Sequence, residues 1–322
     1  MKRKGLWIAT GLIAVVVASI FLEPTQTVVG LLLGEPFFEG RPARYWARSL
    51  AAGPGEQADA TSRLQQGGGQ AAPVLAAMLS GKSAAKDAEV RCTSAELLAK
   101  IGADATSAGP SLLAGVHDRD QHVQAVCAAA LPKAGIPAKA AVPVLTELLK
   151  SDHVVVAARA LSEYKEEAAE SLPVLVALLS DQSKSTEARW NAARTIGRIG
   201  PAADGAVPAL IAALDDPEWT IREHSAEAFG DIGPNAAPEA IPGLLRMLND
   251  PVARVRRDAV RSLGQIGKAA LESVPDIKKL LSDPEELVQK AALTALGKIA
   301  PDQVPPAGNQ DEKPAERVSD PK

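Results

Sequence analysis

The sequence predicts an all-α fold, an α-solenoid of stacked helical hairpins preceded by one membrane-spanning helix. Three observations lead to this prediction. One motif recurs along the 322-residue chain at intervals of 33 or 34 residues, or about twice that. Hydrophobic residues make up 46% of the chain but aromatic residues only 3%. The apolar residues are therefore mostly small and aliphatic, which suits closely packed helices better than sheets. Finally, an uncharged apolar run occupies residues 5–22.

The run at residues 5–22 predicts a membrane anchor over residues 1–23. An 18-residue helix spans about 27 Å, which is close to the thickness of a bilayer core. Residues 2–4 are Lys-Arg-Lys and the next basic residue after the run is Arg41, so the positive-inside rule puts the amino terminus in the cytoplasm. The rest would lie on the periplasmic or extracytoplasmic side of the inner membrane. A cleaved signal peptide is the alternative, although the run is long for one and no clear cleavage site follows it.

Three markers recur with one period after a juxtamembrane linker at residues 24–43. The first marker is an arginine or glutamine followed by small residues three or four positions later and a large apolar residue at seven. It occurs at Arg91, Gln124, Arg189, Arg222, Arg256 and Gln289. The second marker is a proline before an aliphatic stretch, at positions 73, 110, 143, 173, 208, 242 and 275. The third is an Asp-Pro pair at 216–217, 250–251 and 283–284. The shared period predicts about seven and a half repeats over residues 44–300.

Each repeat is predicted to be a pair of helices. The first marker and the small and large residues after it share one face of a helix, which an Ile-Gly pair then ends in most repeats. The second helix begins near the proline, whose fixed φ fits a first turn, and Asp-Pro ends it. Neither helix can bury its apolar stripe alone, so neighbouring repeats must stack. The tail at residues 301–322 is rich in proline and charge and is predicted to be disordered.

The strings Asp-Pro, Val/Ile-Arg, Leu-Gly, Ile-Gly and Ala-Val-Pro-x-Leu resemble HEAT repeats, in particular the HEAT-like repeats first described in phycocyanobilin lyases. This resemblance covers residues 44–300 and implies a right-handed superhelix. Residues 38–46 also look like the segment that precedes such arrays in some bacterial membrane-anchored proteins. The resemblance further implies a structural Asp–Arg ladder, in which Asp216, Arg222, Asp250 and Arg256 take part. Because Gln289 follows Asp283 where an arginine would stand, the ladder is expected to fray there.

In HEAT-like arrays the second helices line the concave side, which implies a partner-binding trough in this chain. The side chains one and four positions after each proline are expected to point outward. The residues chosen on this basis are Val74, Ala77, Val144, Glu147, Val174, Ala177, Ala209, Ala212, Arg246 and Lys279. The first five repeats would present small and mostly uncharged side chains, and the last two polar ones. Such a stripe can mark a contact surface, although alanine is also tolerated at any helix position as a good helix former.

Four histidines and two cysteines are the other candidate site residues. His117, His122 and His153 lie near turns beside aspartates and could hold a metal ion, but solvated turn residues are the simpler interpretation. His224 is expected on an exposed helix face; since no histidine precedes a glutamate, the di-iron hydroxylase pattern is excluded. Cys92 and Cys127 stand at non-equivalent repeat positions, which favours buried thiols over a disulfide.

No catalytic set or cofactor motif stands out in the sequence. Gly67–Gly69 lacks the Lys-Ser/Thr sequel of a phosphate-binding loop, and a net charge of −4 gives no general attraction to nucleic acid. The sequence therefore predicts no cofactor and a non-catalytic scaffold or adaptor that binds a protein partner outside the cytoplasmic membrane. Two alternatives stay open: a tetrapyrrole (bilin) lyase or isomerase, which the resemblance permits, and a structural element of the cell envelope.

Overall fold

The computed structural model describes residues 25–81 and 87–304, which fall into two compact units. Unit 1 ends at Leu178 and unit 2 begins at Leu179. The predicted membrane segment at 5–22 and residues 305–322 of the predicted tail lie outside the described residues. None of the helices in the two described ranges is long and apolar enough to cross a bilayer.

Unit 1 begins with a small structured segment where the sequence predicts a linker. Helix α1 (Thr27–Leu32) precedes two antiparallel strands of two residues each, β1 (Phe37–Phe38) and β2 (Arg41–Pro42), and then helix α2 (Ala43–Leu50). The strand pair departs from the all-α prediction. It is held by Trp46, which lies 5.5 Å from the ring of Phe38 and donates from Nε1 to the Phe38 carbonyl at 3.2 Å. Trp46 is buried and so forms the core of this segment.

Helical hairpins make up the rest of each unit, in the order that the repeat markers predict. In unit 1 they are α3 (Pro54–Gln66) with α4 (Ala72–Leu79), α5 (Ala88–Ile101) with α6 (Gly109–Gly115), α7 (Gln121–Lys133) with α8 (Ala138–Leu148), and α9 (Val154–Tyr164) with α10 (Leu172–Ser180). The boundary between the two units falls within α10. In unit 2 they are α11 (Thr186–Ile199) with α12 (Val207–Ala213), α13 (Trp219–Ile232) with α14 (Ala237–Met247), α15 (Ala253–Ile266) with α16 (Val274–Lys279), and then α17 (Glu286–Ile299). The odd-numbered helices from α3 onward are called first helices below, and their even-numbered partners second helices.

Most first helices end in a turn that contains a residue with positive φ, whereas Ala300 after α17 has φ −145°. Gly200 takes this conformation after α11, at φ 75° and ψ −143°, where a Cβ would be strained. The repeat that lacks the glycine keeps the same turn, because Lys165 after α9 adopts φ 51° and ψ −131°. A short 3₁₀ segment then leads into each of the second helices α10 and α12.

Small residues bring the first helices of unit 2 into close contact. A Cβ on Gly197 of α11 would lie 2.8 Å from the Cα of Ala228 on α13. A Cβ on Gly264 of α15 would lie 2.9 Å from the Cα of Ala295 on α17. Between α13 and α15, the Ser262 hydroxyl donates to the Ala226 carbonyl at 2.7 Å. The four first helices therefore form one continuous layer, and their outward side chains are neighbours.

Candidate functional site

A row of buried ion pairs links successive hairpins of unit 2. Arg222 Nε on α13 lies 2.7 Å from Asp250 Oδ2 in the following turn, and its Nη1 donates to the Asp216 carbonyl of its own repeat at 2.8 Å. The same arrangement pairs Arg256 with Asp283 at 2.8 Å. This hydrogen bond from Arg256 holds the pKa of Asp283 below its usual value. The Asp250 carboxylate also stabilises the turn before the next helix, since it accepts from the backbone N–H of Val252.

This row corresponds to the expected Asp–Arg ladder. The structure shows which arginine pairs with which aspartate. Asp216 and Arg222 are not ion-paired with each other; the Asp216 carboxylate binds Arg189 of the preceding repeat at 2.5 Å. A similar pair occurs in the described part of unit 1, where Arg91 lies 2.8 Å from Asp118. The expectation that the ladder frays at Asp283 is wrong, because Arg256 holds that carboxylate. Gln289 keeps only the contact within its own repeat, from Nε2 to the Asp283 carbonyl at 2.6 Å.

The predicted trough on the second helices is exposed at some positions and not at others. Ala77, Val144, Val174 and Ala209 are half-buried, whereas Glu147, Ala177, Ala212, Arg246 and Lys279 are exposed. The prediction that Val74 lies on the exposed side is wrong, because its side chain is fully buried. The reason is tertiary, because α4 packs against α5 and also against α2 and β1 of the leading segment.

The charged members of that trough already have partners on the surface. Arg246 lies 3.3 Å from Asp215, Lys279 lies 2.6 Å from Asp276, and Glu147 lies 2.9 Å from Lys150. These are exposed pairs, which contribute little to stability but reduce the charge that a partner would meet.

A second surface lies on the first helices of unit 2. It is not among the sites predicted from the sequence. We call it the charged face. It consists of Trp190, Arg194, Arg198, Trp219, Glu223, His224, Glu227, Asp231, Arg254, Arg257, Asp258, Arg261, Leu287, Lys290, Thr294 and Lys298. Its charges lie in rows: basic on α11, acidic on α13 and basic again on α15. The sequence pattern that indicates these rows is a spacing of four residues between like charges, as in Arg194 and Arg198. This spacing puts both side chains on one side of a helix.

Contacts between helices join the acidic row to the basic row on α15. Glu223 lies 3.4 Å from Arg257 and 3.9 Å from Arg254. Arg257 also binds Asp258 at 2.7 Å, and Arg261 binds the same carboxylate at 3.2 Å. Glu223 and Asp258 are buried although they are charged residues. Burial raises the pKa of Glu223 above its usual value, and the nearby arginines partly offset this rise.

A stacking contact between a tryptophan and a histidine joins the acidic row to α11. The His224 ring stacks on Trp190 with centroids 4.7 Å apart and planes at 26°. His224 Nδ1 lies 3.0 Å from Glu227 Oε2, and this hydrogen bond lowers the pKa of Glu227. The expectation that His224 stands on an exposed face is therefore wrong: it is half-buried between two helices. Trp219, at the start of α13, lies under the guanidinium of Arg254 at 5.6 Å.

An open cleft of about 390 Å³ lies between α15 and α17 on the charged face. Arg257, Arg261 and Lys290 line it together with Leu287 and Thr294. The cleft between α5 and α7 in unit 1 is also partly charged, since Glu96, Lys100 and Lys133 line it together with alanines and Val126.

The candidate metal ligands do not come together. His153 Nε2 lies 3.1 Å from Gln124 Oε1, and the backbone N–H of His122 donates to Asp120, which caps α7. His117 lies exposed in the turn after α6. Within residues 25–81 and 87–304, no three His, Cys, Asp or Glu side chains are arranged to hold a metal ion.

The two cysteines are free thiols in the core of unit 1. Burial raises the pKa of Cys127 to about 12 and that of Cys92 above its usual value. Cys127 packs directly on Gly115, where a larger residue would collide with its sulfur. At neutral pH both groups are protonated, so neither is an activated nucleophile.

Comparisons with known proteins agree with this architecture. The family model for HEAT repeats matches residues 155–228, 172–264 and 241–307. A crystal structure of importin beta is similar at a TM-score of 0.54 and 15% identity, over 86% of this chain and 42% of importin beta. At this identity the likeness shows the fold alone.

Two other solved structures are similar over shorter stretches. An engineered protein matches at 26% identity and a TM-score of 0.47, over 58% of this chain and 94% of its own. The complex of CpcE and CpcF of phycocyanin lyase from Nostoc matches at 24% identity and a TM-score of 0.40, over 49% and 98%. No curated protein matches the chain. Residues 155–307 therefore match the family model for HEAT repeats, and the likeness to importin beta shows a similar fold.

Proposed function

We propose that this protein is a non-catalytic binding scaffold whose partner protein docks on the charged face of unit 2. One observation carries the proposal: Trp190 and Trp219 lie there half-buried, among arginines on α11 and α15. Tryptophan and arginine are the residues most enriched at the energetic centres of protein interfaces. Trp46, by contrast, is buried in the core of unit 1.

The charge of the face indicates the chemistry of the partner. Arginines and lysines outnumber carboxylates on it by three, whereas the whole chain has a net charge of −4. Glu223 and Asp258 are already held by arginines of α15, so the outermost groups are mainly cationic. The partner segment is therefore acidic and carries an apolar side chain that packs on Leu287 in the cleft between α15 and α17.

The location of the protein in the cell is part of the same proposal. Residues 5–22 anchor it in the inner membrane, with the repeats on the extracytoplasmic side. The support is the uncharged run itself and the Lys-Arg-Lys that precedes it. The partner is then an exported or membrane protein.

The proposal is tested by site-specific photocrosslinking in the cells that make the protein. A photoreactive residue replaces Arg198 on the charged face, or Ala177 on a second helix as the matched control. Both positions are exposed and helical. We expect one discrete protein adduct from position 198 and none from 177, and we expect Arg194→Glu to reduce that adduct at least tenfold.

The other outcomes decide between the remaining functions. An adduct from position 177 alone would transfer the binding site to the predicted trough. The absence of an adduct at both positions would contradict a scaffold. A visible absorbance shift when a bilin is added to the purified protein would instead favour the lyase or isomerase alternative.

A further inference from the structure

Helix α1 exposes a compact group of large apolar side chains. Leu31, Leu32 and Leu33 are 66%, 75% and 63% exposed, and Val28 beside them is 38% exposed. We call these four residues the leucine patch. The other exposed large hydrophobic residues in the described chain are Leu271, Leu287 and Leu293, which belong to later repeats. A soluble surface seldom presents three consecutive leucines to water, so something covers the patch.

The patch cannot turn inward, because the opposite side of α1 is fixed to the fold. Val29 and Gly30 are buried, and Gly30 lies directly against the ring of Pro42 on β2. The helix ends at Leu32, and Gly34 turns the chain with φ 65°. Glu35 then accepts hydrogen bonds from Arg44 Nε at 2.9 Å and from the Arg44 backbone N–H at 3.0 Å. Arg44 belongs to α2, so the orientation of the leucines is set by the body of unit 1.

The composition of the patch fits lipid better than protein. It contains only aliphatic side chains, and residues 27–34 carry no charge. Tryptophan and arginine, which concentrate binding energy in protein interfaces, are absent from it, and leucine is under-represented at such centres. An exposed group of leucines can insert at the boundary between headgroups and acyl chains, where the strength of binding increases with the apolar area that is buried.

The position of the patch in the chain points to the same occupant. Helix α1 begins five residues after the uncharged run at 5–22 ends. Five residues of extended chain reach at most about 18 Å. With the run in a bilayer, as proposed above, α1 is held near the membrane surface.

We infer that the leucine patch lies in the lipid interface of the bilayer and seats unit 1 on the membrane surface. The inference rests on the proposed membrane anchor and adds a second contact to it. It means that unit 1 has a defined orientation relative to the membrane, since α1 is tied rigidly to α2 through Glu35 and Arg44.

The test uses the full chain in vesicles of phosphatidylcholine and phosphatidylglycerol. An environment-sensitive fluorophore is attached at one introduced cysteine: Leu32→Cys in the patch, Val15→Cys in the run, or Ser107→Cys as an exposed control on unit 1. The native Cys92 and Cys127 are buried and escape labelling in the folded protein. We expect a blue-shifted emission, and quenching by brominated lipid, at positions 15 and 32 and neither effect at 107.

Each other result has a separate meaning. Quenching at 15 without quenching at 32 would overturn the inference and leave the anchor intact. A blue shift at 32 that brominated lipid does not quench would also overturn it, and would indicate a protein contact such as a second copy. Quenching at 32 alone would support the patch and contradict the anchor, and the absence of quenching at both positions would contradict both.

Discussion

The guanidinium of Arg222 connects two turns of the chain: it pairs with the carboxylate of Asp250 in the next repeat, and it donates to the carbonyl of Asp216 in its own. The Asp250 side chain is only 4% exposed. The contact is therefore a junction between hairpins, and its loss would leave a buried carboxylate without its cation.

Arg222→Gln isolates the part of this junction that crosses between repeats. The natural Gln289 shows that glutamine keeps the contact with the carbonyl of its own repeat. Because Asp250 would lose its counter-charge while buried, we expect the free energy of unfolding to fall by about 3 kcal/mol.

Urea titration of the full chain, followed by circular dichroism, measures this loss. Arg246→Gln is the matched control, since its pair with Asp215 is more than half exposed on both sides. The control is expected to change stability by less than about 0.5 kcal/mol. Equal losses in the two variants would contradict a structural role for the ladder.

Asp283 predicts a pH dependence at the carboxyl-terminal end of the ladder. Its hydrogen bond from Arg256 lowers the folded-state pKa, so the ionised pair adds stability at pH values above the usual aspartate pKa. This contribution is lost as the pH falls through the lowered folded-state value. The cost of Asp283→Asn should therefore be present at pH 7 and should vanish in strong acid. Unfolding titrations of both proteins at several pH values check this; a cost independent of pH would contradict it.

Lys165 offers a stabilising substitution. It holds φ 51° and ψ −131° in a turn where the other repeats use glycine, and a Cβ is unfavourable there. Lys165→Gly should raise the free energy of unfolding by about 1 kcal/mol. Lys165→Ala keeps the Cβ and should give no gain. If both variants gain equally in a thermal melt, the side chain and not the backbone conformation is responsible.

Gly197 tests the close approach of α11 and α13. A Cβ at this position would lie 2.8 Å from the Cα of Ala228, which the backbone of α13 cannot easily yield. Gly197→Ala should therefore lower stability by about 1–3 kcal/mol despite its better helix propensity. Gly205→Ala, with open space around the new methyl group, serves as control. Calorimetry on both variants would contradict the packing if Gly197→Ala were neutral.

The helices and the turns between them could be predicted from the order of residues in the sequence. Ile199-Gly200 ends α11 and the proline at 208 lies in the first turn of α12, as the markers predict. Helix ends depend on the backbone preferences of glycine and proline, which act within a few residues. The leading segment was missed because α1, β1 and β2 are held by Trp46 and Arg44, and these contacts have no periodic pattern.

The candidate site was harder to predict for a related reason. The second helices were chosen by resemblance, and Val74 was assigned to the surface although its side chain is buried. The arginines of α11 and α15 form no uninterrupted basic cluster in the sequence, because aspartates such as Asp231 and Asp258 lie among them. In the structure those aspartates are part of the arrangement, since Asp258 holds both Arg257 and Arg261.

By itself the sequence determined the hairpin unit, its period and the helix boundaries, because these follow from side-chain periodicity and from turn residues that act locally. Only the tertiary structure decided which charges meet: that Asp216 binds Arg189 and not Arg222, and that Glu223, His224 and Arg257 share one surface. The physical reason is that these pairs join residues about thirty positions apart. Their contact depends on the distance and angle at which hairpins stack, which small residues such as Gly197 and Gly264 set across the helix interfaces.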